Sequence, residues 1–161
     1  MLTEAKINDD VFGEMTWDQG WEKYFTTDIN GYECEYLMCV DALDSEDEIT
    51  PEQKEHYKKY FENEQKFKEE YPKALLKFYK DNYAIISENW DDAYDLDCID
   101  EETVKELVDF DTLYFSDGEK YGWVCSCAWE DSLGDDYRSI AIYFDDRVEG
   151  ICVGTVDDLY I

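Results

Sequence analysis

Residues 121–129 alternate in character without a fault. Tyr121, Trp123, Cys125, Cys127 and Trp129 share one parity, and Gly122, Val124, Ser126 and Ala128 share the other. A period of two is the signature of a β-strand, whose successive side chains point to opposite faces. A strand with two tryptophans and a tyrosine on one face must bury that face. The rest of the chain therefore has to supply a sheet around it and a cover over it, which predicts a central strand with helices on one side.

Other segments follow the same reading. Strands are expected over residues 12–17 and Trp21–Thr27, and over 32–40, where Tyr32, Cys34, Tyr36, Met38 and Val40 share a parity. Between the last two, Asn30-Gly31 is a two-residue hairpin signal, because both residues tolerate positive φ. An antiparallel meander over residues 11–41 results. After an acidic loop at residues 41–48, Thr50-Pro51-Glu52-Gln53 has the form of a helix start, with a capping threonine, proline at the first turn and glutamine closing the box. Tyr57, Tyr60, Phe61, Phe67 and Tyr71, then Leu75, Leu76, Tyr79, Tyr83 and Ile86, recur at roughly helical spacing. Pro72 is expected to divide them into two consecutive helices between Pro51 and about Ser87. Residues 89–102 read as irregular. Asp100 is placed to cap a short helix over residues 101–108. A strand over residues 111–115 and a turn at Ser116-Asp117-Gly118 lead into the alternating strand. After a turn at Leu133-Gly134-Asp135-Asp136, strands over residues 139–144 and 148–153 pair through Asp145-Asp146. The expected fold is α+β: a mostly antiparallel sheet with two consecutive helices packed on one face, in a single domain spanning residues 1–161.

Charge restricts function. Asp and Glu number 43 against 14 Lys and Arg, a formal net charge of −29. Nucleic acid and anionic membrane surfaces both demand a basic footprint, so neither is expected as a partner. No apolar run approaches the ~18 residues of a membrane span, and MLTEAKINDD has neither a basic start nor an apolar core, so the expected location is cytoplasmic. In that compartment Cys34, Cys39, Cys98, Cys125, Cys127 and Cys152 read as reduced thiols packed as small hydrophobes, without metal-ligand spacing. The chain lacks G-x-S-x-G, H-E-x-x-H, a P-loop and G-x-G-x-x-G, and it has one histidine, His56, and two arginines, Arg138 and Arg147. No catalytic residue and no cofactor is assigned.

The acids form three runs: Asp41, Asp44, Glu46, Asp47 and Glu48; Asp91, Asp92, Asp95, Asp97, Asp100, Glu101 and Glu102; and Glu130, Asp131, Asp135 and Asp136. None has the spacing of a calcium loop. Carboxylate pairs leave open a divalent-metal-binding or hydrolytic domain. A field this negative also attracts basic proteins and raises their association rates. The second run adds aromatics, which favour binding hot spots. Trp90, Asp91, Asp92, Tyr94, Asp95 and Asp97 are therefore the expected contact residues for a basic protein, and the leading expectation is non-enzymatic binding.

Gly122, Cys127-Ala128-Trp129-Glu130, Gly134, Tyr143-Phe144, Arg147-Val148 and Gly154 with Asp157 resemble the pattern of a family of small uncharacterised bacterial domains. Phe12-Gly13, the tryptophan-bearing strand and Thr50-Pro51-Glu52-Gln53 extend the resemblance to the front half. The family's Glu-His-Gly turn is replaced here by Ser132-Leu133-Gly134, so no histidine role carries over at that turn. Domains of this kind resemble immunity proteins of polymorphic toxin systems. That resemblance implies a small cytoplasmic protein that occludes a basic toxin domain directly.

Overall fold

A computed structural model describes residues 5–29, 31–133 and 139–160. Eight strands form one sheet in chain order: β1 (Lys6–Asp9), β2 (Gly13–Trp17), β3 (Trp21–Thr27), β4 (Cys34–Val40), β5 (Val108–Phe115), β6 (Lys120–Cys127), β7 (Ile140–Asp145) and β8 (Val148–Thr155). Neighbours are antiparallel except β4 and β5, which run parallel from Leu37↔Thr112 to Val40↔Phe115. Parallel neighbours need a long crossover. Residues 41–107 supply it with α1 (Pro51–Glu62), α2 (Glu64–Asp81), α3 (Tyr83–Asn89) and α4 (Glu101–Glu106), and α5 (Val156–Tyr160) follows β8. Among the described residues this is a mixed α/β protein with a mostly antiparallel eight-stranded sheet and five helices.

Local signals are realised where the chemistry is local. The Thr50 hydroxyl accepts from Gln53 N, and the Gln53 side chain accepts from Thr50 N at 2.9 Å, a complete capping box. Asp100 Oδ1 accepts from Thr103 N at 2.8 Å and starts α4. β7 and β8 pair antiparallel as expected, but the turn is Asp146-Arg147 and not Asp145-Asp146, because Asp145 stays in β7 opposite Val148.

Several expectations need correction. Pro72 lies inside α2 and does not end it; the breaks fall at Asn63 and Asn82, giving three helices over this stretch. Buried Phe67, Tyr71, Leu75 and Tyr79 keep a spacing of four through the proline, and their tertiary burial outweighs its local cost of ~3 kcal/mol. The β3–β4 pairing closes at Thr27↔Cys34, so residues 28–33 form a longer connection than a two-residue hairpin. Asn30 lies outside the described residues, as do Gly134, Asp135 and Asp136 of the expected later turn. α4 stops at Glu106, and Val108, Asp109 and Phe110 join β5 because they find partners on β6. Trp129 has left the strand for the turn before a short 3-10 segment, Glu130–Leu133, yet stays buried. Of the six cysteines only Cys125 and Cys127 are buried, and Cys98 is exposed.

The inner sheet face centres on Trp123. Its ring meets Phe110 at 5.4 Å and Tyr36 at 5.3 Å, both edge-on, and Phe25 at 5.9 Å. Phe67 and Tyr71 of α2 pack on Phe110. Trp123 Nε1–H donates to the hydroxyl of Tyr60 at 2.8 Å in a fully buried bond from β6 to α1. Tyr60→Phe would leave that N–H orphaned, at an expected cost of about 1–3 kcal/mol; urea denaturation checks it. Gly122 keeps the other parity bare, because a Cβ there would collide with the Tyr143 backbone and the Ile142 carbonyl across the β6–β7 pair. On the opposite sheet face Leu159 of α5 packs with Ala141 and Tyr143, and Tyr114, Val124 and Cys152 lie against them.

Candidate binding surface

Residues 90–100 join α3 to α4 and carry the expected contact residues. Trp90 N–H donates to Ile86 O at 2.9 Å, and the extended backbone at Trp90 ends α3. The Trp90 ring is half-buried against the core, so it fastens the segment more than it displays it. Tyr79, fully buried in α2, donates its hydroxyl to the Tyr94 carbonyl at 2.6 Å, and burial pushes the Tyr79 phenol above its ordinary pKa. The Tyr83 hydroxyl lies 3.4 Å from Asp95 Oδ1. Cys98 and Ile99 N–H groups donate to Asp95 O at 2.9 and 3.1 Å, and the Ile99 side chain is buried. Hydrogen bonds from Thr103, the backbone one foremost, hold the Asp100 carboxyl below the usual 3.8.

This scaffold fixes a segment whose outward side chains are acidic and apolar. Asp91, Asp92, Asp95 and Asp97 are exposed, and Tyr94, Leu96 and the α3 residue Ile85 are each 41% exposed. No lysine, arginine or histidine occurs between Lys80 and Lys105. Among the described residues, Asp91, Asp92, Asp95 and Asp97 form no salt bridge.

The first acid run is engaged locally. In the first, Asp47 accepts from Leu43 and Asp44 N–H and Asp44 accepts from Glu46 N–H, so these carboxylates build turns. Glu46, Asp47 and Glu48 line a depression with Asp9, Asp10 and Lys54. In the third, Asp135 and Asp136 lie outside the described residues. Elsewhere several bases are committed: Lys54 to Asp9 and Asp10, Lys68 to Asp28 and Glu64, and Arg147 to Asp145 and Glu119. His56 is buried, stacks on Tyr121 at 4.4 Å and places Nε2 2.6 Å from Asp146 Oδ2, tying α1 to the β7–β8 turn.

A second acidic surface escaped the sequence reading. Asp18, Glu22, Asp41 and Asp111 line a cleft of about 400 Å³ with Leu37, Cys39, Tyr114 and Tyr160 among its other walls. Glu22 sits opposite Cys39 in the β3–β4 register. Asp111 is the extra residue where the β5–β6 register shifts, a bulge that turns it outward between buried Phe110 and Leu113. Burial, with Asp18 adding, raises the Glu22 carboxyl; burial, with Asp117 adding, raises Asp41. Burial pushes the Cys39 thiol up to about 12. The sequence marks Cys39 only as a thiol packed as a small hydrophobe, and no local signal joins β3, β4 and β5.

The raised carboxyls fix a pH prediction. An acid whose folded pKa exceeds its unfolded value binds more protons when folded, so stability falls as pH rises through that window. The penalty from Glu22 and Asp41 is absent below the ordinary values of 4.5 and 3.8 and complete above the raised ones. Glu22→Gln/Asp41→Asn is therefore expected to be at least as stable as the parent at pH 7, with the advantage vanishing near pH 3.5. Denaturant midpoints at the two pH values check it.

Among the described residues no group of three or more His, Cys, Asp or Glu side chains is placed to hold a metal ion. No helix among them is long and apolar enough to cross a membrane. Fold and surfaces together define a mixed α/β protein with open, carboxylate-rich faces. The chain belongs to a family described as a domain of unknown function, DUF6985, which matches residues 11–134. The match includes the front-half motifs and Cys127-Ala128-Trp129-Glu130, and ends before Tyr143-Phe144. No curated protein and no solved structure matches the chain.

Proposed function

We propose that this protein is a non-enzymatic binding protein that grips a cationic surface of another protein through residues 90–97, and that it acts as an immunity-type inhibitor occluding a basic toxin domain. One observation carries the reading: a base-free acidic segment with exposed Tyr94 and Leu96 is held in one shape from beneath by Tyr79. Unpaired carboxylates supply steering, the apolar side chains supply contact area, and the anchored backbone reduces the ordering cost of binding. The resemblance to immunity proteins points the same way.

The test starts from the neighbouring gene. Where it encodes a large secreted protein with a basic C-terminal domain, that domain is the probe. Co-expression is expected to yield a complex that co-purifies and in which the domain's toxicity is lost. A domain that elutes alone and keeps its toxicity contradicts the proposal.

A further inference from the structure

We infer that the uncovered half of the outer sheet face, over β3–β5, docks an arginine side chain presented by a basic segment of a partner protein. α5 packs on this face over β6–β8, where Leu159 meets Ala141 and Tyr143, and its Tyr160 ring reaches Tyr114 of β5 at the border of the open part. Beyond α5 the face is open: Tyr24 is 68% exposed beside its β4 partner Leu37. The cleft there, about 400 Å³, falls within the ~300–1,000 Å³ range of small-ligand sites.

Charge complementarity selects the occupant. Four carboxylates line the cleft, and among the described residues no lysine, arginine or histidine does. None of the four takes part in a salt bridge among the described residues, whereas lysines and Arg147 pair with acids elsewhere. Tyr114 and Tyr160, with ring centroids 4.7 Å apart, form an aromatic wall beside them. A guanidinium uses both features, because its planar fork pairs with carboxylates and its face stacks on phenol rings. An ammonium uses mainly the charge. Burial and neighbouring carboxylates already disfavour ionised Glu22 and Asp41, and a docked cation reverses that cost. No residue of the 90–97 segment lines this cleft, so the inference stands apart from the proposed function.

The probe is the blocked tripeptide acetyl-Gly-Arg-Gly-amide, titrated at 150 mM salt into ¹⁵N-labelled protein and followed by amide shifts. Saturable shifts are expected around residues 18–24, 37–41 and 111–114 and at Tyr160. Glu22→Gln/Asp41→Asn should weaken binding about tenfold or more, as expected for loss of charge-assisted pairing. Tyr160→Ala, at an exposed position where folding is not at stake, should weaken it severalfold without changing the charge. The charge-matched control Glu55→Gln/Glu62→Gln, at exposed positions on α1, should shift it less than about twofold. Shifts scattered over the surface, absence of saturation, or equal loss in the cleft variant and the control would overturn the inference by reducing binding to the general negative field. None of these results depends on identifying the partner of the 90–97 segment.

Discussion

Trp123→Ala is expected to cost about 3–5 kcal/mol, the range for deleting a large aromatic from a packed core. Trp123 is fully buried and joins β3, β4, β5 and α1 through Phe25, Tyr36, Phe110 and Tyr60. Its removal opens a cavity between sheet and helix and takes away the donor that meets the Tyr60 hydroxyl. Domains are stable by only ~5–15 kcal/mol, so the variant should be partly unfolded at moderate temperature. Urea denaturation followed by far-ultraviolet circular dichroism measures the loss. A loss under about 1 kcal/mol would mean that Trp123 does not organise the core.

The largest functional effect is expected from Asp91→Lys/Asp92→Lys/Asp95→Lys/Asp97→Lys. All four side chains are exposed, and among the described residues only Asp95 has a side-chain hydrogen bond, a 3.4 Å contact from Tyr83, so the fold should persist. Charge steering changes association rates by ~10–10³, and reversing four charges at the contact should remove most of that gain against a basic partner domain. The association rate should fall at least tenfold at low salt, and its dependence on ionic strength should flatten. Stopped-flow mixing at several salt concentrations reads both. A variant that associates at the parent rate with the parent salt slope refutes this placement of the contact.

Legibility in the sequence followed the range of the interactions. The β2–β3–β4 meander and the β7–β8 pair were readable because alternation and short connections act locally. The capping box at Thr50 and the cap at Asp100 were readable for the same reason. β1, only four residues long, carries too short an alternation to stand out, and the five residues of α5 are too few for a helical period. Pro72 misled because a local rule met a buried stripe of Phe67, Tyr71, Leu75 and Tyr79 that overrides it. The parallel β4–β5 pairing has no local signature, since its partners lie on either side of the whole helical crossover. The cleft of Glu22, Asp41 and Asp111 depends on that pairing and was invisible for that reason. The 90–97 segment was legible as acidic, aromatic and irregular. Its fastening by Tyr79 from α2 was not, because hydrogen bonds to backbone carbonyls leave no mark on composition.

Amide hydrogen exchange of the protein alone and bound to its basic partner domain bears most directly on the role of residues 90–97. Slowed exchange at Asp91, Asp92, Tyr94 and Asp97 in the complex is expected, with Ile85 and Leu96 alongside. Unchanged exchange across 90–97, with protection confined to other faces, would contradict it.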